Sequence, residues 1–322
     1  MAVSATLLLI AADAWLAGSW QRFGSVLGPL LKRGSLIPLA FTVIMLAGAA
    51  ELIRLMRTVG LGVHAWWAKL TVAAMMLSPW FCAAWGTRAG PIDIEALPVQ
   101  SAWLAAAVVG TAFLQLGRGG IERAISDVAA TLLVIVYCGF LPSFLIVLRC
   151  DENLPIPQGA WLVLLFLAVT KASDIGAYFT GSAIGRHKLV PAVSPGKTVE
   201  GTFGGVAASL LVALLLRSLA VWAADSPASG LSSDSPSYSG VAEEVLFLFS
   251  TLSITQVSVF AIVMSAIGQL GDLLESLFKR AAATKDSATL IPAFGGVLDI
   301  VDSPVLAAPV AWFLLTHLFG LV

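Results

Sequence analysis

The sequence predicts an all-α, polytopic integral membrane protein with about nine transmembrane helices. Of the 322 residues, 58% are hydrophobic and only 11% are charged, with a mean hydropathy of +0.93, whereas an ordinary soluble domain carries about 25% charged residues. The apolar residues gather in long runs, and about 20 of them suffice to cross a bilayer as a helix. Because the net charge is −1, no overall positive field draws the chain to nucleic acid, which is not expected as a partner.

The candidate spans follow one another along the whole chain. They lie near residues 3–20, 36–53, 64–85, 98–116, 125–148, 159–180, 200–222, 245–275 and 303–321. The eighth run is too long for one simple span. We expect either a break in it or a projection of its last turns, residues 271–279, beyond the hydrocarbon.

Lys and Arg in the short loops predict the orientation. Loops 182–197 and 276–295 are basic, whereas segment 223–240 contains no Lys or Arg. We therefore place both basic loops in the cytoplasm. Residues 1–150 then form an N-terminal set of transmembrane helices, and residues 151–322 form the C-terminal region with the candidate catalytic groups.

A first set of ionisable residues lies at the end of the eighth span. Asp272, Glu275, Ser276 and Lys279 are three or four residues apart, so a helix places them on one face. Two acids on such a face suit a hard cation such as Mg²⁺, which binds one or two carboxylates together with phosphate oxygens and water. A simple Glu–Lys ion pair explains the same pattern and stays open as an alternative.

Two further acids stand at the start of the last span. Asp299 and Asp302 follow Gly295 and Gly296, where the backbone can approach a ligand closely and helix N–H groups favour anions. Acids in the first turns of a helix also serve as N-terminal caps. Metal ligation and capping are therefore both open for this pair.

A second polar segment spans residues 171–201. Asp174 ends an apolar run there, and cations and hydroxyls follow it, which is typical of an anion-binding loop. A basic loop that only fixes topology or touches anionic lipid is the alternative. A nucleotide-binding phosphate loop is excluded, because Pro191 stands where the pattern needs its first glycine before Gly196. The candidate anion contacts are Lys188, Ser194, Lys197 and Thr198.

Together the two segments resemble the phosphatidate cytidylyltransferases, also called CDP-diacylglycerol synthases. That family's signature runs roughly S-x-x-K-R-x4-K-D, followed by P-G-H-G-G-x-x-D-R-x-D. The resemblance covers about residues 171–305, with a weaker similarity at residues 51–55. The matching signature positions are Ser276, Lys279, Arg280, Lys285, Asp286, Pro292, Gly295, Gly296, Asp299 and Asp302.

Five positions depart from the family pattern. They remove three candidate phosphate or proton contacts, which is consistent with a divergent enzyme, a different lipid phosphate acceptor or a catalytically impaired paralogue. Because Asp272, Asp299 and the Lys285–Asp286 pair are retained, we expect a working enzyme. The departures are Ala293 for Gly, Phe294 for His, Ile300 for Arg, Gly196 for Lys and Val199 for an aromatic residue.

The resemblance implies a nucleotidyltransferase that converts CTP and phosphatidate to CDP-diacylglycerol and pyrophosphate with Mg²⁺ or another divalent cation. It implies that Asp272 and Asp299 bind the metal, with Glu275 and Asp302 in support. Lys285 and Asp286 join Asp272 and Asp299 as catalytic residues. The implied substrate contacts are Asp174, Lys188, Ser194, Lys197, Thr198, Glu200, Ser276, Lys279 and Arg280.

The expected setting is a bacterial inner membrane, with the active site facing the cytoplasm and membrane lipids as neighbours. Association into a homodimer is also expected. Rival functions are a transferase for another lipid or polyprenyl phosphate, a non-catalytic paralogue and a transporter. Transport is disfavoured because no paired halves with matching Gly or Pro breaks are visible.

Overall fold

The computed structural model describes residues 12–13, 34–85, 96–118, 121–151, 156–224, 251–284 and 296–320. In this part of the chain, seven helices are long and apolar enough to cross a membrane. The prediction of an all-α polytopic membrane protein is therefore confirmed. The predicted number of about nine spans is not confirmed. Candidate 3–20 lies almost entirely outside the described residues, and helix Ala65–Trp85 is not among the seven.

The described helices are numbered in chain order. They are α1 (Leu36–Thr58), α2 (Ala65–Trp85), α3 (Ala96–Arg118), α4 (Ala124–Ile135), α5 (Leu141–Cys150), α6 (Ile156–Ile184), α7 (Val199–Ala224), α8 (Ile254–Ala281) and α9 (Leu298–Phe313). A π-helical turn, Val136–Phe140, joins α4 and α5 into one span, and a second, Leu314–Leu318, extends α9.

Helix α8 corresponds to the over-long eighth candidate span. It begins at a capping box, in which the Ser253 hydroxyl accepts from the Gln256 N–H and the Gln256 side chain accepts from the Ser253 N–H. It then runs without a break through Ala281, so the expected break does not occur within α8. Residues 276–281 are therefore helical and do not belong to the predicted loop 276–295.

The predicted loop 182–197 also contains regular structure. Helix α6 continues through Ile184, and strands β1 (Lys188–Val190) and β2 (Ser194–Thr198) form an antiparallel hairpin before α7. The hairpin turn is closed by a hydrogen bond from the Val193 N–H to the Val190 carbonyl oxygen, at 3.1 Å. This hairpin is the one strand pair in the described residues, and it brings the basic segment towards α8.

Close helix packing fixes the C-terminal half of the molecule. Helix α6 packs along α7, and α8 packs between α7 and α9. Small residues allow this approach: a Cβ on Gly176 would meet Ala208, and a Cβ on Gly271 would meet the carbonyl oxygen of Asp302. Helices α8 and α9 therefore come close enough for their acidic side chains to face one another.

Side chains hold the turn after α1 and the start of α9. Arg118 donates to the Gly62 carbonyl oxygen at 3.1 Å, and Arg123 donates to that of Gly60 at 2.7 Å. Glu51 of α1 accepts from the N–H of Val297, the residue before α9, at 2.9 Å. Helix α1 is therefore tied directly to the start of the helix that carries Asp299 and Asp302.

Candidate active site

Three carboxylates converge between α8 and α9. Asp272 and Glu275 of α8 and Asp302 of α9 each offer an oxygen, and these oxygens all lie within 4.8 Å of one another. Glu275 is only 1% exposed and Asp302 only 7%. Because unpaired negative charges repel strongly in such a setting, this acidic cluster requires cations nearby.

Two lysines supply part of that charge. The Lys197 ammonium, from β2, lies 2.8 Å from Asp272 Oδ2 and donates to the Gln269 carbonyl oxygen at 3.1 Å. The Lys279 ammonium lies 2.6 Å from Glu275 Oε2 and 2.8 Å from Asp299 Oδ1. The two polar segments identified from the sequence therefore meet in one site.

The acidic cluster can hold a metal ion. Its donors are hard carboxylate oxygens, as Mg²⁺ or a similar cation prefers. Glu275 already pairs with one cation, since its Oε2 lies 2.6 Å from the Lys279 ammonium. Because each carboxylate oxygen has more than one lone pair, the three acids can share a metal ion while they keep their lysine partners.

Asp299 occupies a different position from the other three acids. It lies in the first turn of α9, where its Oδ2 accepts from the Gly296 N–H at 2.8 Å while Oδ1 faces Lys279. This is the helix-cap arrangement left open above. The Asp299 side chain also contacts that of Glu275. The role of Asp299 as a metal ligand stays a prediction.

Asp174 connects α6 to the same site. Its Oδ2 accepts from the Lys171 ammonium and its Oδ1 from the Ser303 hydroxyl, each at 3.0 Å. The Ser303 N–H in turn donates to Asp302 Oδ1 at 2.7 Å. A continuous set of polar contacts therefore runs from α6 to the acidic cluster.

Two predicted contacts in the hairpin segment serve local structure. The buried Thr198 hydroxyl accepts from the Gly201 N–H at 3.1 Å, which caps α7. Glu200 accepts from the N–H groups of Arg186 and His187 and contacts the His187 ring nitrogen at 2.6 Å. These contacts hold the turn between α6 and β1, and direct substrate contacts by either residue stay predictions.

The remaining predicted contacts lie on the hairpin and on α8. Lys188 is exposed on β1, Ser194 is half-buried at the start of β2, and Ser276 is half-buried on α8. Arg280 donates to the Val193 carbonyl oxygen at 3.2 Å, which ties α8 to the hairpin turn.

Six of the positions named from the sequence lie outside the described residues: Lys285, Asp286, Pro292, Ala293, Phe294 and Gly295. The other three departures from the family pattern are described. Ile300 is 37% exposed, Val199 is half-buried, and a Cβ on Gly196 would meet nothing within 4 Å. A longer side chain at position 196 would therefore have space on the surface of the hairpin.

Three groups near this site were given no role from the sequence, although two of them lie in segments that resemble the family. Glu51 accepts from the N–H groups of Val297 and Leu298, Lys171 pairs with Asp174, and Tyr137 is buried in the π-helical turn. No hydrogen-bond partner for the Tyr137 hydroxyl lies among the described residues. Glu51 and Lys171 could have been found as charges inside apolar runs.

A family model described as "Cytidylyltransferase family" matches residues 19–318. The chain belongs to the cytidylyltransferase family. This match includes the acidic cluster, both lysines and the hairpin, so the resemblance drawn from residues 171–305 is confirmed at the level of the family.

Several curated bacterial proteins are also similar. The chain is 37% identical to a phosphatidate cytidylyltransferase of Brucella suis over 188 residues, which are 58% of this chain and 56% of that protein. It is 32% identical to one of Staphylococcus saprophyticus over 192 residues, 60% of each chain. A Haemophilus influenzae protein of the same name is 37% identical over 156 residues, 47% of this chain and 44% of that protein. The chain thus spans about half to three-fifths of the length of these relatives.

Proposed function

We propose that this protein is a phosphatidate cytidylyltransferase, a CTP-dependent nucleotidyltransferase that converts CTP and phosphatidate to CDP-diacylglycerol and pyrophosphate. The observation that carries the proposal is the convergence of three carboxylates within 4.8 Å with lysines on two sides of them. The names of the bacterial relatives support this reaction. The membrane-spanning fold is consistent with a lipid acceptor.

The reaction exchanges one phosphoanhydride bond for another. An oxygen of the phosphatidate phosphate attacks the α-phosphorus of CTP, and the bond from that phosphorus to the oxygen bridging to the β-phosphate breaks. Because the second pKa of a phosphate monoester is about 6, the acceptor is already largely a dianion and needs no general base. The protein must therefore position two highly charged reactants in line and neutralise them.

The chain's own residues can perform both tasks. Asp272, Glu275 and Asp302, with Asp299 from the sequence prediction, would hold Mg²⁺, which when bound would neutralise charge on the reacting phosphates. The Lys197 and Lys279 ammonium groups, now paired with these acids, can contact phosphate oxygens instead. Arg280 and Lys188 offer further positive charge at the hairpin, where CTP would enter from water.

The proposal includes the setting expected from the sequence. The Lys and Arg residues of segments 182–197 and 276–295 support an active site on the cytoplasmic side, where CTP is available. The bacterial relatives support a bacterial inner membrane. The homodimer stays a prediction, and the mass of the protein–detergent complex would measure it.

Purified protein in mixed micelles tests the reaction directly. We expect labelled CTP to yield a lipid-soluble CDP product and pyrophosphate only when phosphatidate is added. Pyrophosphate release without lipid, or no release with any acceptor, would overturn the proposal. A panel of polyprenyl and ether-lipid phosphates tests the choice of acceptor. If a product forms with only one of these lipids, that lipid and not phosphatidate is the acceptor.

Asp272→Asn and Asp299→Asn test the acidic groups within this assay. Asp127→Asn is the matched control, because Asp127 is also a buried acid but accepts from the Gly62 N–H at 2.6 Å, far along the chain from the candidate site. We expect both site variants to lose most of the turnover and the control to retain it. Normal turnover by Asp272→Asn would remove the metal-binding assignment, and normal turnover by Asp299→Asn would leave Asp299 as a helix cap only.

A further inference from the structure

Lys171 is a cation inside an apolar membrane span. It lies in the segment Gly159–Ile184, which is long and apolar enough to cross the bilayer. Its side chain is 39% exposed, twice the exposure of the Lys197 side chain at 19%. An ionisable residue at this depth is costly unless it pairs or binds a ligand.

The face of α6 that carries Lys171 is otherwise apolar and exposed. Residues four, seven and eight positions further on share this face of a helix. They are Ile175, Tyr178 and Phe179, which are 58%, 72% and 66% exposed. In a membrane-spanning helix, an exposed apolar face of this kind is suited to contact acyl chains rather than water.

Lys171 is also joined to the acidic cluster. Its ammonium donates to Asp174 Oδ2, and the other Asp174 oxygen accepts from Ser303, which follows Asp302 directly in α9. The cation therefore stands between the apolar face of α6 and the site proposed for the reaction.

The ammonium retains capacity for a ligand. A lysine has three N–H donors, and within the described residues one hydrogen bond from Lys171 is formed, to Asp174. Lysine binds phosphate as a point charge on a flexible stem, so it can keep Asp174 and contact a phosphate oxygen together. A phosphate carried by two acyl chains matches both the charge and the apolar surroundings.

We propose that Lys171 binds the phosphate of the lipid substrate as it enters from the bilayer, with the acyl chains along the face formed by Ile175, Tyr178 and Phe179. This inference rests on the proposed function and assigns its two substrates to different sides of the acidic cluster. CTP approaches from the hairpin and Lys197, whereas the lipid phosphate approaches from α6.

Lys171→Met tests this assignment, because it keeps the length of the side chain and removes the charge. We expect the KM for phosphatidate, measured as a mole fraction in mixed micelles at saturating CTP, to rise about tenfold or more, since a charge-assisted contact to phosphate is lost. The KM for CTP at saturating lipid should stay within about twofold, since Lys171 does not contact the nucleotide. Lys171→Arg should restore most of the lipid affinity.

Lys69→Met is the matched control, because Lys69 is also an exposed lysine on an apolar helix, α2. It should leave both KM values unchanged. If Lys171→Met fails to fold because Asp174 loses its partner, the double variant Lys171→Met/Asp174→Asn removes the pair together. The same rise in the KM for the lipid is expected of the double variant.

Three outcomes would overturn the assignment: no change in either KM, an equal rise in both, or a rise confined to CTP. The last would mean that Lys171 contacts the phosphates of the nucleotide. Wild-type protein that makes no CDP-lipid would instead refute the proposed function. The two failures are therefore distinguishable within one set of assays.

Discussion

Two groups of carboxylates in this protein, all buried except the half-buried Asp272, differ in what their oxygens contact. In the first, Asp13 accepts from the Leu36 N–H at 2.7 Å, Glu51 from the Leu298 N–H at 3.0 Å and Asp127 from the Gly62 N–H at 2.6 Å. These backbone-capping acids satisfy the N–H groups at helix starts and turns. In the second, Asp272, Glu275 and Asp302 face one another and the lysines.

The difference shows that a buried acid in this protein is not by itself a functional group. Asp13 is fully buried, yet it also forms an ion pair with Arg149 at 2.6 Å, and its contacts account for it as part of the structure. The acidic cluster instead concentrates the negative charge of three carboxylates, and the one backbone contact described for it is from the Ser303 N–H to Asp302. Such an arrangement lowers stability and is consistent with a role in binding a cation or a phosphate ligand.

Glu275→Gln should have the largest effect on turnover and the opposite effect on stability. Removing this buried charge relieves its repulsion with the neighbouring acids, and the new amide can donate hydrogen bonds to them. We expect CTP-dependent turnover to fall about 100-fold or more, as expected for a metal-site residue, while the melting temperature in detergent stays equal or rises. A lower melting temperature with normal turnover would place Glu275 among the structural acids.

Glu51→Gln should have an intermediate effect on turnover and on stability. Glu51 accepts from the N–H groups of Val297 and Leu298 at the start of α9. Asp299 and Asp302 follow Val297 by two and five residues. The amide retains one acceptor oxygen, so we expect the free energy of unfolding to fall by about 1–2 kcal/mol. Turnover should fall severalfold, because the start of α9 carries both acids.

Chemical denaturation and steady-state kinetics measure the two quantities for Glu51→Gln. Glu51→Ala, which removes both acceptors, should enlarge both losses in parallel. Complete loss of turnover at unchanged stability would contradict a capping role and move Glu51 into the functional group.

Asp127→Asn should have the smallest effect, confined to stability. The asparagine carbonyl can still accept from the Gly62 N–H, although more weakly than the carboxylate does, so we expect a loss of about 1 kcal/mol in the free energy of unfolding. Turnover of the folded fraction should remain within about twofold of wild type. A large loss of turnover without loss of stability would show that the first group also contains functional acids.

Much of the fold and part of the site could be predicted from the sequence. Long apolar runs predict membrane helices because the bilayer requires them, and the three- and four-residue spacing places Asp272, Glu275 and Lys279 on one face of α8. The sequence also predicted that residues 171–201 and the end of α8 form one site. The Lys197–Asp272 ion pair at 2.8 Å agrees with that prediction.

The roles of individual polar groups could not be predicted in the same way. Thr198 and Glu200 look like ligands in a basic loop, yet in the structure they cap α7 and hold the turn before β1. A hydroxyl or carboxylate beside a helix start can serve either purpose, and its backbone partners are known only once the turn is formed.

The sequence by itself determined the membrane-spanning helices and the choice of α8 and α9 as the helices that carry the acids, because these depend on composition and local spacing. It also indicated the family, through the resemblance of its motif residues to a known signature. Only the tertiary structure decided that Asp302 joins Asp272 and Glu275 while Asp299 faces Lys279 and the Gly296 N–H. That selection depends on the rotation of α9 against α8 and on their close approach at Gly271. Contacts between two helices are set by packing and not by the spacing within either one.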